Sequence, residues 1–100
     1  MGVHRYAVGH WQPNHAAILD QLRRAALSVQ LNIAEGFAIG RSPRCRNHLR
    51  IAYGSAVETT DLLDILGELT LDKTGDLNAL TSLSHRTQAL TLRLWQRSRT

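Results

Sequence analysis

Apolar residues recur every three or four positions along most of this chain, the spacing that gathers them on one side of an α-helix, and no stretch alternates with the two-residue period of a strand. The pattern predicts a helix over residues 15–39. At about 100° per residue, Ile18, Leu22, Ala25, Ala26, Val29, Ile33 and Phe37 form its main apolar face. Leu27, Leu31, Ala34 and Ala38 form a second apolar line on the other side, and Gln21, Arg24, Ser28, Asn32 and Glu35 form a polar stripe between the two. A surface helix ordinarily carries one apolar stripe. Two stripes call for two partners, either two helices of the same chain or one from another subunit. Leu27, Leu31 and Ala34 are therefore candidate oligomer contacts. Trp95, farther along, is a candidate interface anchor or core residue.

Gly40 stops the first helix, and Ser42-Pro43 starts the second, with Ser42 as N-cap and Pro43 at the first helical position, where its missing N–H costs nothing. The second helix is expected over 43–71. Its apolar positions are Leu49, Ala52, Tyr53, Ala56, Leu62, Leu63, Ile65, Leu66 and Leu69. Gly54 costs about 1 kcal/mol in a helix and suggests a close approach of two backbones there. Gly67 suggests a kink in the last turns. A loop through Gly75 leads to a third helix over 76–97, with Leu77, Leu80, Leu83, Thr87, Leu90, Leu94 and Trp95 on its buried side. Residues 1–13 form a short or irregular segment: Val3, Tyr6, Ala7 and Trp11 suit at most one short helix, limited by Gly9 and Pro13, with Asn14 as the next N-cap. The expectation is one all-α domain over 1–100, an up-down antiparallel bundle of three long helices.

A tight corner makes the first two helices an antiparallel hairpin. Its register pairs Arg24 with Glu58, Ser28 with Gly54, Asn32 with Arg50 and Gln21 with Asp61. An inter-helix polar network of Arg24, Ser28, Asn32, Glu35, Ser55 and Glu58 follows, with Arg24–Glu58 as its principal ion pair. The alternative is that both stripes face water.

Composition narrows the class. The chain has 100 residues, 43% apolar and 20% charged, as a globular protein does. Its one cysteine, Cys45, excludes an internal disulfide. No apolar run approaches the roughly 18 residues that cross a bilayer, and the first residues are too polar for a signal-peptide core. A cytoplasmic location away from membranes is expected. The net charge is +4, and every basic residue but Lys73 is arginine. Arginine forks suit carboxylates and phosphates, although a GC-rich coding bias gives the same excess. Charge is segregated: Arg41, Arg44, Arg46 and Arg50 are followed by Glu58, Asp61, Asp64, Glu68, Asp72 and Asp76, and then by Arg86, Arg93, Arg97 and Arg99. The second helix thus opposes its own dipole, and the arginines of the last segment are the expected offset for its acidic end.

Arg41, Arg44, Arg46 and Arg50 at the corner, with His48 beside them, are candidate nucleic-acid contacts, because a helix N-terminus adds free N–H groups to their charge. A solvated basic end is the alternative. No aromatic residue interleaves with them, so binding would track the backbone and fall with salt. Cys45 among these arginines is a candidate reactive thiol or an incidental small residue. His4, His10, His15, His48 and His85 show no ligand spacing. No metal, cofactor or catalytic constellation is expected, and the chain is not read as an enzyme.

Three segments carry a resemblance: QLRRAALSVQLNIAEG at 21–36, GRSP at 40–43 and IAYGSAVE at 51–58. Together they resemble the four-helix-bundle family of large-subunit ribosomal RNA intervening-sequence proteins, a group that includes the accessory variability protein of diversity-generating retroelements. The match falls on Arg24, Ala25, Ala26, Ser28, Asn32, Ile33, Ala34, Glu35, Gly36, Arg41, Ser42, Ile51, Ala52, Gly54, Ser55 and Glu58. The resemblance implies assembly into a homopentameric barrel, and partners among RNA, DNA or a reverse transcriptase. The family pattern has a long helix ahead of the segment that begins here near Trp11. Only about a dozen residues precede it, so that helix is expected to be short or missing. Two functions remain open: a nucleic-acid or ribonucleoprotein accessory acting through the basic corner, and a protein-only oligomeric scaffold docking partners on apolar and acidic faces.

Overall fold

A computed structural model of the chain describes residues 2–3, 16–70 and 75–98. Helix α1 spans Ala16–Ala38, α2 spans Pro43–Thr70 and α3 spans Gly75–Arg97. No strand occurs among the described residues. The molecule is a rod of 43 × 20 × 16 Å, and its long axis is the length of α2 at about 1.5 Å per residue. Helix α2 is the spine: α1 and α3 each pack along it, and no comparable approach joins α1 to α3. The chain is an all-α bundle. None of these helices is long and apolar enough to cross a membrane.

The apolar core gathers where α1 begins and α2 ends. Val3, Leu19, Leu22, Ala26, Leu63, Leu66 and Leu77 form one buried cluster, flanked by Ile18, Leu62 and Leu80. Each such leucine stabilises the fold by about 1.5–3 kcal/mol through removal of its surface from water. Val3 is helical and buried in this cluster. Tyr6, Ala7, Trp11 and Asn14, and with them the expectation of a short or missing first helix, lie outside the described residues.

Several expected core positions are corrected. Phe37 is 63% exposed, because it stands in the last turn of α1, beside an open cleft. Leu90 is 55% exposed and Ile65 is 43% exposed. Helix α3 buries Leu77, Ser84 and Thr91, a line at seven-residue spacing from which Leu90 is rotated by about 100°. Thr59 and Thr60 of α2 are buried as well. The hydroxyls of Thr60 and Ser84 meet at 2.8 Å across the α2–α3 contact, and Thr60 also donates to the Ala56 carbonyl at 3.1 Å. Small hydroxyls let the helices close up while their polar atoms stay bonded, and no buried side-chain N or O among the described residues lacks a partner.

The glycines also take other roles than expected. Gly54 is exposed, with open space where a Cβ would stand, so among the described residues no backbone approaches it. The approach occurs at Gly36, where a Cβ would lie 3.5 Å from His48 Cβ and 3.6 Å from the Cys45 carbonyl oxygen. Helix α2 runs unbroken through Gly67, whose missing side chain leaves room for Leu77.

Candidate functional site

The corner between α1 and α2 is built by backbone rules. Gly40 takes φ +72°, the left-handed conformation that glycine enters without steric cost. The N–H of Ile39 donates to the Glu35 carbonyl at 3.3 Å, and that of Gly40 to the Phe37 carbonyl at 3.4 Å. Ser42 Oγ then accepts the Cys45 N–H at 3.1 Å, an N-cap that frees Pro43 to open α2.

This corner presents Arg41, Arg44, Arg46 and Arg50, all exposed. They do not form one flat patch. Arg46 and Arg50 share the outer side of α2, where Arg50 donates to Asn47 Oδ1 at 3.0 Å. Arg44 falls on another side of the helix, rotated from Arg46 by about 160°. The antiparallel return of α3 adds Arg93 and Arg97 to the same end, fixed there by the stack of Trp95 on Tyr53, with ring centroids 5.9 Å apart. The expected neutralisation is corrected for Arg93 and Arg97: antiparallel packing sets the C-terminus of α3 beside the N-terminus of α2 and carries them away from its acidic end, whereas Arg86 stays two residues from Ser84, which meets Thr60. Exposed Asp61, Asp64, Glu68 and Asp76 occupy the opposite end. Arg99 lies outside the described residues.

Between the arginines lies a cleft of about 250 Å³, walled by Phe37, Cys45, Leu49 and Leu94 and edged by Arg41 and Arg97. Cys45 is buried in this wall. Sequence reasoning placed Phe37 in the core and did not join Arg97 to the corner. The signal available was position: Phe37 stands three residues before Gly40, in the last turn of α1.

Along the α1–α2 groove, Ser28 Oγ and Ser55 Oγ meet at 2.7 Å. Asn32 Nδ2 donates to the Ser28 carbonyl at 2.9 Å and to Ser28 Oγ at 3.2 Å. Asn32 Oδ1 lies 2.9 Å from His48 Nδ1, and Glu35 Oε2 lies 3.5 Å from the same nitrogen. An amide oxygen only accepts, so His48 donates from Nδ1. His48 thus belongs to the network rather than to the arginine surface.

Glu58 does not pair with Arg24. It accepts a hydrogen bond from Gln21 Nε2 at 2.8 Å. Gln21 lies on the edge of α1 that also carries Ser28 and Asn32, whereas Arg24, three residues on, is rotated by about 60° toward the second apolar line. That line stays uncovered within the chain: Leu27 is 42% and Leu31 50% exposed, and Ala34 and Ala38 are exposed beside them. Trp95, the other interface candidate, is half-buried in its stack on Tyr53.

In chemical terms the corner end offers guanidinium groups, the positive end of a helix and an apolar recess, groups whose charge is complementary to an anion. The His48 imidazole is held by an amide and a carboxylate and is not aligned on a hydroxyl or thiol. No curated protein and no solved structure matches this chain. Residues 6–98 match the model of the 23S rRNA-intervening sequence protein family, and the chain belongs to that family.

Proposed function

We propose that this protein is a non-enzymatic RNA or ribonucleoprotein accessory. It grips the nucleic-acid backbone through its corner end and self-associates through the outer line of α1. The observation that carries the reading is the gathering of Arg41, Arg44, Arg46, Arg50, Arg93 and Arg97 at one end of the rod, with the carboxylates of α2 at the other. Membership of a family named for an intervening sequence of 23S rRNA supports the choice of RNA as the anion. The uncovered Leu27–Leu31–Ala34 line supports a multi-subunit form, for which the family resemblance suggests a pentamer. Repetition of the basic end in such an assembly would multiply weak phosphate contacts. A reverse transcriptase or DNA would meet the same surface by the same charge logic.

Titration of a single-stranded RNA across a salt series tests the reading. Binding should weaken steeply with salt, and Arg44→Ala, Arg46→Ala and Arg50→Ala together should lower the log–log slope by about 2. No binding to RNA or DNA at low salt would instead favour a protein-only scaffold, the reading suited to the exposed apolar line and acidic face.

A further inference from the structure

The cleft at the corner and the acidic end of α2 are chemically complementary. The cleft has an apolar wall of Phe37, Leu49 and Leu94, and Arg41 and Arg97 stand on its edge. At the other end of the rod, Ile65 is exposed on the outer side of α2. Asp61 and Glu68 lie four residues before it and three after it, on the same helix face. Asp64 is its neighbour in sequence, and all three carboxylates are exposed. An aliphatic side chain ringed by carboxylates is the counterpart of an apolar recess edged by guanidinium groups. Along a rod 43 Å long the two features cannot meet within one chain.

We propose that the cleft receives the Ile65 face of a second copy of this chain. Ile65 enters the recess, and Arg41 and Arg97 face Asp61, Asp64 and Glu68 of that copy. Different patches on the two copies make the contact heterologous. Each added copy leaves one cleft and one Ile65 face open, so the contact propagates into a ring or an open chain according to its rotation. It is separate from the α1 line, which is apolar along Leu27, Leu31, Ala34 and Ala38, and it does not depend on nucleic-acid binding. Its charged edge makes it salt-sensitive, because screening at 1 M salt cuts the reach of charges to about 3 Å.

The test uses sedimentation equilibrium on full chains that all carry Leu27→Ser and Leu31→Ser, so that the α1 line does not contribute. The background chain should self-associate at low salt and dissociate at high salt. Arg41→Glu with Arg97→Glu should weaken association about tenfold or more, as should Asp61→Arg with Asp64→Arg. Mixing the two charge-reversed proteins should restore it, since each then meets the opposite charge on the other. Ile65→Arg, at an exposed helix position, should weaken it alone and serves if either double variant fails to fold by circular dichroism. A background chain of single-chain mass at every concentration would overturn the proposal. So would charge-reversed variants that associate undiminished, or folded variants that fail to recombine on mixing. Added RNA that dissociates the background chain would show the two ligands sharing Arg41 and Arg97, and would support the assignment of those residues. Because the RNA slope is read on Arg44, Arg46 and Arg50, either result can fail without the other.

Discussion

The two ends of this rod solve opposite problems. At one end Leu19, Leu22, Leu63, Leu66 and Leu77 close on Val3 in a continuous apolar cluster. At the other, helices are joined by a glycine turn, a serine cap and an aromatic stack, and the space between them is an open cleft. Along α2, carboxylates mark the closed end and arginines the open one, where α3 adds Arg93 and Arg97. Burial of large aliphatic side chains supplies most of a small domain's stability, so the closed end holds the fold. That leaves the corner free to expose Phe37 and an array of like charges that would be costly to bury. Stability and recognition are thus separated along one axis.

Core truncations should expose the difference most strongly. Leu22→Ala or Leu63→Ala should destabilise the chain by about 3–5 kcal/mol, and Leu49→Ala, whose side chain borders the cleft, by about 2 kcal/mol. Urea unfolding measures both, and equal losses would erase the distinction. Next in size, Ser28→Ala and Ser55→Ala should each cost about 1 kcal/mol, with a double variant that costs less than their sum, because the second change removes a hydroxyl already left without its partner. Strict additivity in the double-mutant cycle would deny the contact. Gly40→Ala should cost about 1 kcal/mol through its left-handed backbone alone, with the melting temperature as readout and RNA affinity unchanged. The smallest effect belongs to Glu58→Ala, below about 0.5 kcal/mol, since its exposed bond to Gln21 is worth little. A loss of a kcal/mol or more would restore the buried Arg24 pair.

Helix placement and the corner were legible in the sequence because they rest on local signals: the 3.6-residue period, Gly40, and Ser42 before Pro43. What escaped was rotational detail. Ser28, Asn32 and Ser55 could be assigned to the groove, but whether Gln21 or Arg24 meets Glu58 depends on a 60° turn that antiparallel register alone leaves open. Buried Thr60, Ser84 and Thr91 look like surface residues in a hydrophobicity pattern, since only a partner hydroxyl or carbonyl makes their burial tolerable. The cleft was invisible for a different reason. It joins the ends of three helices, and Arg41 and Arg97 are brought together only by the return of α3.

Hydrogen exchange of the full chain with and without single-stranded RNA at low salt addresses the division between the ends most directly. Slowed exchange confined to residues 40–50 and 93–98, with no slowing in the segment 58–68, is the predicted result. Protection of the acidic segment, or no change anywhere at an RNA concentration that saturates binding, would contradict it.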